Sequence, residues 1–410
     1  MNEKIVVIGG EGFVGNRLVR QLKAKYPKAQ VTSISKTQRN FEPGYRFIST
    51  NITSLESIEN AFTQSEATTV FHTASPHATA TKQQLLDINV EGTKKVLEAC
   101  YKTGVKRLIF TSSLAACYNE EPLTFIDERL PLVTDGRDMY TSTKAMAEEL
   151  IIKSNGIKGL LTCALRLGGV IGEGDVQVIP HTIDVFKSYP TCFQVGDNSS
   201  LIDFVCVSNA VQAHILAFEG LCNPNYQVPE NWDDRLSPVY ATVPKRVPPS
   251  SRSVEPPFED DAPLPAARSR FDQFFVPPRA DKHPIAGEVF FIGNGEPVPF
   301  WTMMRYIGYS YNGHIPPFVL KLPASMVLFF VGIFELFVWF WAVIRFERYI
   351  PPLMSVAHVR YSCTDFCANI EKARRILGYK PEMSLEEGVK ETIRWIKAEE
   401  ERTKESKKNK

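Results

Sequence analysis

Short apolar runs recur along the first half of this chain, separated by more polar stretches of helical length. Residues 4–9, beginning Lys4-Ile-Val-Val-Ile8, form the first run. Val31-Thr-Ser-Ile34, Thr69-Val-Phe-His72, Arg107-Leu-Ile-Phe-Thr-Ser112 and Leu161-Thr-Cys-Ala-Leu-Arg166 follow. Runs of this length and composition predict strands buried on both faces. The intervals predict helices: from about Phe13 to Lys25, from about Gln83 to Thr103, and a third containing Tyr140 and Lys144. Strands alternating with helices imply right-handed crossovers and a parallel sheet. The expected fold is α/β, a Rossmann-type doubly wound sheet with a smaller C-terminal substrate domain and a membrane-associated helix.

Two stretches break this rhythm. Thirteen of the 28 prolines fall between Pro224 and Pro284. Segments there such as Pro248-Pro-Ser-Ser-Arg-Ser read as solvated coil, so residues 222–284 are expected to be a disordered insertion. Globular pattern resumes at Ile285-Ala-Gly-Glu-Val-Phe-Phe-Ile292. The expected organisation is a mainly dinucleotide-binding domain over 1–221, with substrate-domain elements from about 170. The substrate domain proper is expected over 285–400, and a basic tail over 401–410.

The second break is Ala324–Ile344, almost continuously apolar except for Glu335. Twenty-one helical residues reach about 31 Å, near the thickness of a bilayer's hydrocarbon. Trp339, Trp341, Arg345 and Arg348 at its end suit an interface. Membrane association is expected, with a buried core helix as the alternative.

Composition narrows the function classes. The formal net charge is +1, with no basic footprint for nucleic acid. The eight cysteines form no CxxC pair and read as reduced structural thiols, and no metal-ligand pattern is present.

Chemistry concentrates in two motifs. Gly9-x-x-Gly12-x-x-Gly15 lies between a strand and a helix, with Phe13 and Val14 opening the helix. Without Cβ atoms the backbone can approach a pyrophosphate at a helix N-terminus, which predicts dinucleotide binding. The second strand lacks the acidic residue expected to hold a ribose 2′-hydroxyl. Ser35, Lys36 and Arg39 follow it instead, a modest tilt toward NADP over NAD. Asn51 and Ile52 are placed to contact adenine.

Tyr140-Thr-Ser-Thr-Lys144 is the other motif. Its phenol and amine lie one helical turn apart on one face. An ammonium nearby and an oxidised nicotinamide both favour phenolate, so Tyr140 could take an alcohol's proton as hydride leaves its carbon. Ser113, just past the fourth run, is the expected hydroxyl for the substrate oxygen, with Ser112 its competitor.

These residues resemble the extended short-chain dehydrogenase/reductases. Within them the chain is similar to the 3β-hydroxysteroid dehydrogenase group, particularly sterol 4α-carboxylate 3-dehydrogenases of the decarboxylating type. Val70-Phe-His-Thr-Ala-Ser-Pro76 resembles that group's segment beside the cofactor, which adds Ala74 to the cofactor set. Ile88-Asn89-Val-Glu-Gly-Thr93, Gly196 to Val205 and Gly287 to Phe300 are also similar to it, as is Lys372 to Pro381. Leu167, where many relatives have proline, and the missing ribose acid depart from the pattern.

The resemblance implies Ser113, Tyr140 and Lys144 as a catalytic trio acting with NAD or NADP. It implies a sterol or terpenoid-like substrate, membrane lipid as a partner, and a homodimer as a further expectation. It also implies that residues 362–398 complete the same catalytic body, so the apolar helix would lie in the membrane plane rather than span it. Lys407-Lys-Asn-Lys410 resembles a dilysine retrieval tail, which points to the cytosolic face of the endoplasmic reticulum membrane. Two other readings stay open: a ketone reductase of terpenoid or polyketide metabolism, and a non-catalytic dinucleotide-binding scaffold. Double-bond isomerase activity is not separable from decarboxylation by sequence.

Overall fold

The structure, a computed structural model, describes residues 3–41, 44, 46–188, 192–228, 283–345 and 355–408. Most of the expected insertion, residues 229–282, lies outside them.

The main sheet has seven strands: β1 (Lys4–Ile8), β2 (Gln30–Ser35), β3 (Arg46–Ser49), β4 (Thr69–His72), β5 (Arg107–Ser113), β6 (Leu161–Leu167) and β7 (Glu288–Ile292). All pair in parallel, in the order β7-β6-β5-β4-β1-β2-β3. The order reverses between β1 and β4, which opens a crevice at their C-terminal ends.

Helices α1 (Phe13–Lys25), α2 (Leu55–Ser65), α3 (Thr93–Thr103), α4 (Met139–Lys153) and α5 (Val207–Cys222) cover the faces. The continuous apolar runs follow from burial on both sides. Ile5 and Val7 pack with Leu18, Leu22 and Phe218 on one face. Val6 and Ile8 pack with Ile34, Phe62, Leu97 and Phe110 on the other. The period of two along β1 divides its residues between two cores.

Two departures from expectation concern this sheet. β3 gives no apolar run, because Arg-Phe-Ile-Ser is an edge strand only partly buried. Residues 288–292, expected with the substrate domain, pair with β6 as the outermost strand of the dinucleotide sheet. Phe290, Phe291 and Ile292 are buried there. The expected helix over 83–103 also changes character. A π-helical stretch over Leu86–Gly92 joins Lys82–Leu85 to α3.

A smaller unit sits beyond the crevice. Four short strands, Val298–Pro299, Leu201–Ile202, Phe366–Ala368 and Leu123–Ile126, pair in that order. Helices Val178–Ser188, Phe300–Asn312 and Leu385–Lys408 contribute Ile183, Ile307, Leu385 and Val389 to its core.

Ala324–Ile344 is one unbroken helix, and it is not a core helix. Val327 and Val331 pack against Val195 and Val359. Phe329, Ile333, Phe334, Leu336, Phe337 and Phe340 are exposed. Glu335 lies on the protein side, where its Oε2 accepts a hydrogen bond from Val356 N at 3.0 Å. Phe366 beyond it pairs with Leu123, so the chain returns to the body it left.

Gly9 sets the spacing between β1 and β4. Its φ is +81°, and a Cβ there would stand 2.8 Å from Ala74 N. Gly9→Ala is therefore expected to destabilise the fold by about 1–3 kcal/mol through strain and overpacking. A thermal melt of the detergent-solubilised protein checks this.

Candidate active site

The crevice is part of one cavity of about 1700 Å³ that reaches the smaller unit. Every candidate cofactor-binding and catalytic residue named from the sequence lines it. Gly9, Gly12, Phe13, Val14 and Gly15 form one wall, with Ala74 opposite Gly9. Ser35, Lys36, Arg39, Asn51 and Ile52 lie at the β2 end, and Ser113, Tyr140 and Lys144 lie beyond β5.

The glycine turn is built to admit an anion. Gly9 N donates to Ile34 O at 2.8 Å and Gly12 N to Gly9 O at 2.9 Å. A Cβ on Gly15 would fall 2.2 Å from Gly9 O. Gly12 caps α1 without a side-chain bond to the first turn. These features fit a pyrophosphate held by backbone N–H groups.

The β2 end differs from expectation. The sequence reading placed no carboxylate there, yet Glu11 supplies one from inside the glycine turn. Its Oε1 accepts from Ser33 Oγ at 2.6 Å, and its Oε2 from Arg39 N at 2.6 Å and Asn40 N at 2.8 Å. Spacing along the strand could not reveal it, because the contact crosses between two loops. Asn51 is committed locally: its Oδ1 accepts from Thr53 N at 3.1 Å and from Thr53 Oγ1 at 2.9 Å.

Asp138 starts α4 by accepting from Tyr140 N at 3.2 Å and Thr141 N at 3.0 Å. This cap fixes Tyr140 in the first turn and Lys144 one turn later. Burial pushes the Tyr140 phenol above its ordinary value, a Ser113 hydrogen bond pulls it down, and the charge of Asp138 raises it. The phenolate thus depends on positive charge that a bound nicotinamide would bring.

Lys144 is 3% exposed, and burial lowers its pKa to about 8 against a rise from Glu148. Its Nζ donates to Thr111 O at 2.6 Å and lies 4.4 Å from the centre of the Phe110 ring. Thr111 is braced from behind by His214. Thr111 Oγ1 lies 2.8 Å from His214 Nε2, whose Nδ1 lies 2.7 Å from Ala210 O. Burial lowers the His214 pKa to about 4, so at neutral pH it is uncharged, with Nδ1–H donating to Ala210.

The two serines separate by partner. Ser112 is buried and gives its hydroxyl to Glu148 Oε2 at 2.5 Å. Glu148 also receives Arg166 Nη2 at 2.6 Å and Nε at 3.0 Å. Ser113 accepts from Ala115 N at 3.2 Å and also meets the Tyr140 phenol. The π-helical stretch adds a brace absent from the expected set: Asn89 Nδ2 donates to Thr143 Oγ1 in α4 at 3.1 Å.

The far wall was also not foreseen. Glu335, Val356, His358, Arg360 and Tyr361 line the same cavity, which therefore meets the apolar helix at its middle, through Glu335.

A parallel sheet with a glycine turn at its switch point, and a buried lysine one turn after a cavity-lining tyrosine, define an oxidoreductase of Rossmann type. The profile of the 3-beta hydroxysteroid dehydrogenase/isomerase family matches residues 6–232, more than half the chain, and the chain belongs to that family.

The chain is similar to a decarboxylating sterol-4-alpha-carboxylate 3-dehydrogenase of Schizosaccharomyces pombe, at 28% identity over 97% of this chain and 98% of the relative. The Mus musculus protein of that name is 28% identical over 95% of this chain and 90% of its own. Among solved structures, gox2253 has a TM-score of 0.66 at 18% identity, covering 97% of this chain and 99% of that one. UDP-glucose 4-epimerase of Thermus thermophilus, solved with NAD, has a TM-score of 0.59 at 19% identity, covering 96% and 98%. These two share the fold.

Two predictions follow from the partners. Ser113→Ala should lower kcat and cost only about 0.5–1 kcal/mol of stability, since Ser113 Oγ also accepts from Ala115 N at 3.2 Å. Ser112→Ala should instead cost about 1–3 kcal/mol of stability, because Glu148 loses a buried donor. Parallel kinetics and urea unfolding separate them. Lys144→Met should abolish turnover yet stabilise the fold by about 1–3 kcal/mol at pH 7, since a buried charge is removed. The Lys144 pKa in the folded state, about 8, lies below the ordinary 10.5. The gain should be full below pH 8 and fade as pH rises to 10.5, which unfolding curves across that range would show.

Proposed function

We propose that this protein oxidises the 3β-hydroxyl of a sterol carrying a C4 carboxylate, using NAD or NADP. The observation that carries the reading is the single cavity joining the glycine turn, the Ser113–Tyr140–Lys144 group and Glu335 at the middle of the apolar helix. The names of the full-length relatives supply the substrate class.

When bound, a nicotinamide supplies a hydride acceptor. Ser113 holds the substrate's C3 oxygen, and Tyr140 takes its proton as the C3–H bond breaks. Lys144, held by Thr111 O, would hydrogen-bond the nicotinamide ribose. Oxidation leaves a β-keto acid. The bond from C4 to the carboxylate then breaks, its electron pair moves toward the ketone, CO2 departs and a proton returns to C4.

The exposed aromatic face of Ala324–Ile344 supports membrane binding. Its inward Glu335, and the return of the chain to the same body, support an in-plane rather than spanning placement. In this placement the cavity adjoins the membrane-bound helix through Glu335, a short path for a sterol dissolved in the bilayer. The endoplasmic reticulum address and self-association belong to the same proposal, to be tested by imaging of a tagged protein and by sedimentation.

Purified, detergent-solubilised protein should reduce the nucleotide and release CO2 together when given a 4α-carboxy-3β-hydroxysterol. Tyr140→Phe should lower kcat by about 10²–10⁴-fold with dinucleotide binding retained. Reduced nucleotide without CO2 would restrict the activity to plain 3β-hydroxysteroid oxidation. Neither signal from protein that binds dinucleotide would overturn the sterol reading.

A further inference from the structure

Glu11 stands where the fold needs a decision between two nucleotides. β2 ends in Ser33-Ile-Ser35 without a carboxylate. Glu11 brings one to that place from the glycine turn. It is 8% exposed and lines the cavity beside Ser35. The donors from Ser33, Arg39 and Asn40 fix both of its oxygens, and its own N–H reaches Ser35 Oγ at 3.5 Å. Lys36 and Arg39 are exposed.

We propose that Glu11 selects the dinucleotide, favouring NAD over NADP by standing in for the acid missing from β2. This rests on the dinucleotide reading above. A carboxylate accepts hydrogen bonds only, so it suits a ribose hydroxyl and repels a phosphate. The phosphate of NADP would bring about −1.5 to −2 charges to this corner. A buried carboxylate acts through protein of low dielectric, whereas exposed cations act through water and salt. The fixed negative charge therefore outweighs Lys36 and Arg39, and the modest tilt toward NADP read from those two residues reverses.

The test is equilibrium binding of oxidised NAD and NADP to the full-length protein, read by calorimetry or by quenching of tryptophan fluorescence. Wild type should bind NAD more tightly by about tenfold or more. Glu11→Gln keeps the size and can still accept from Arg39 N and Asn40 N. It should reduce the preference for NAD by about tenfold. Salt gives a second measurement on the unaltered protein. If repulsion by Glu11 governs, added salt raises NADP affinity relative to NAD. If attraction by Lys36 and Arg39 governs, added salt lowers it, and the proposal falls. It falls equally if wild type prefers NADP or if Glu11→Gln leaves the ratio unchanged. Binding of neither nucleotide would overturn the dinucleotide reading itself.

Discussion

The Glu148–Arg166 ion pair is the interaction on which the site rests. Both side chains are almost wholly buried, at 1% and 4% exposure. Two buried charges are costly to desolvate, and the cost is met only by good geometry and further donors. Here the guanidinium meets the carboxylate through Nε and Nη2, and Ser112 adds its hydroxyl. The far side of Arg166 stacks 5.0 Å from the Phe291 ring. The pair ties α4 to β6, and through Ser112 to β5. It therefore sets where Tyr140 and Lys144 stand relative to the strand ends. By occupying Ser112 it leaves Ser113 as the hydroxyl that faces the phenol.

The same economy appears around Lys144. Its charge is kept in a buried place by the Thr111 carbonyl and by the field of Glu148. The group proposed to help the chemistry thus weakens the fold, while the ion pair one turn further along α4 holds it in place. Function is concentrated at strand ends because a parallel sheet delivers several side chains and one helix N-terminus to a single edge.

Much of this was legible in the sequence, for physical reasons. β1 and β5 announce themselves because burial on both faces demands unbroken apolar runs. Helix α1 was read to its residue limits, since a glycine turn starts it and Lys25 ends its periodic pattern. The glycines and the tyrosine–lysine spacing encode local geometry, so their place at one cavity followed. Other parts are written in contacts between distant residues. β3 is a partly exposed edge. Glu11 matters only once β2 and the loop after it pack on the glycine turn. The far wall, from Val356 to Tyr361, meets the cavity more than 200 residues from Tyr140 in sequence. Glu335 argues from sequence against a spanning helix, but its acceptance of a hydrogen bond from Val356 N is visible only in the fold.

The central claim is that the carbon bearing the substrate alcohol passes its hydrogen to a nicotinamide within this cavity. The most direct measurement uses a 4α-carboxysterol deuterated at C3, followed by mass analysis of the reduced nucleotide. The account predicts that the deuterium appears on the nicotinamide ring. Reduced nucleotide that carries no deuterium would contradict it.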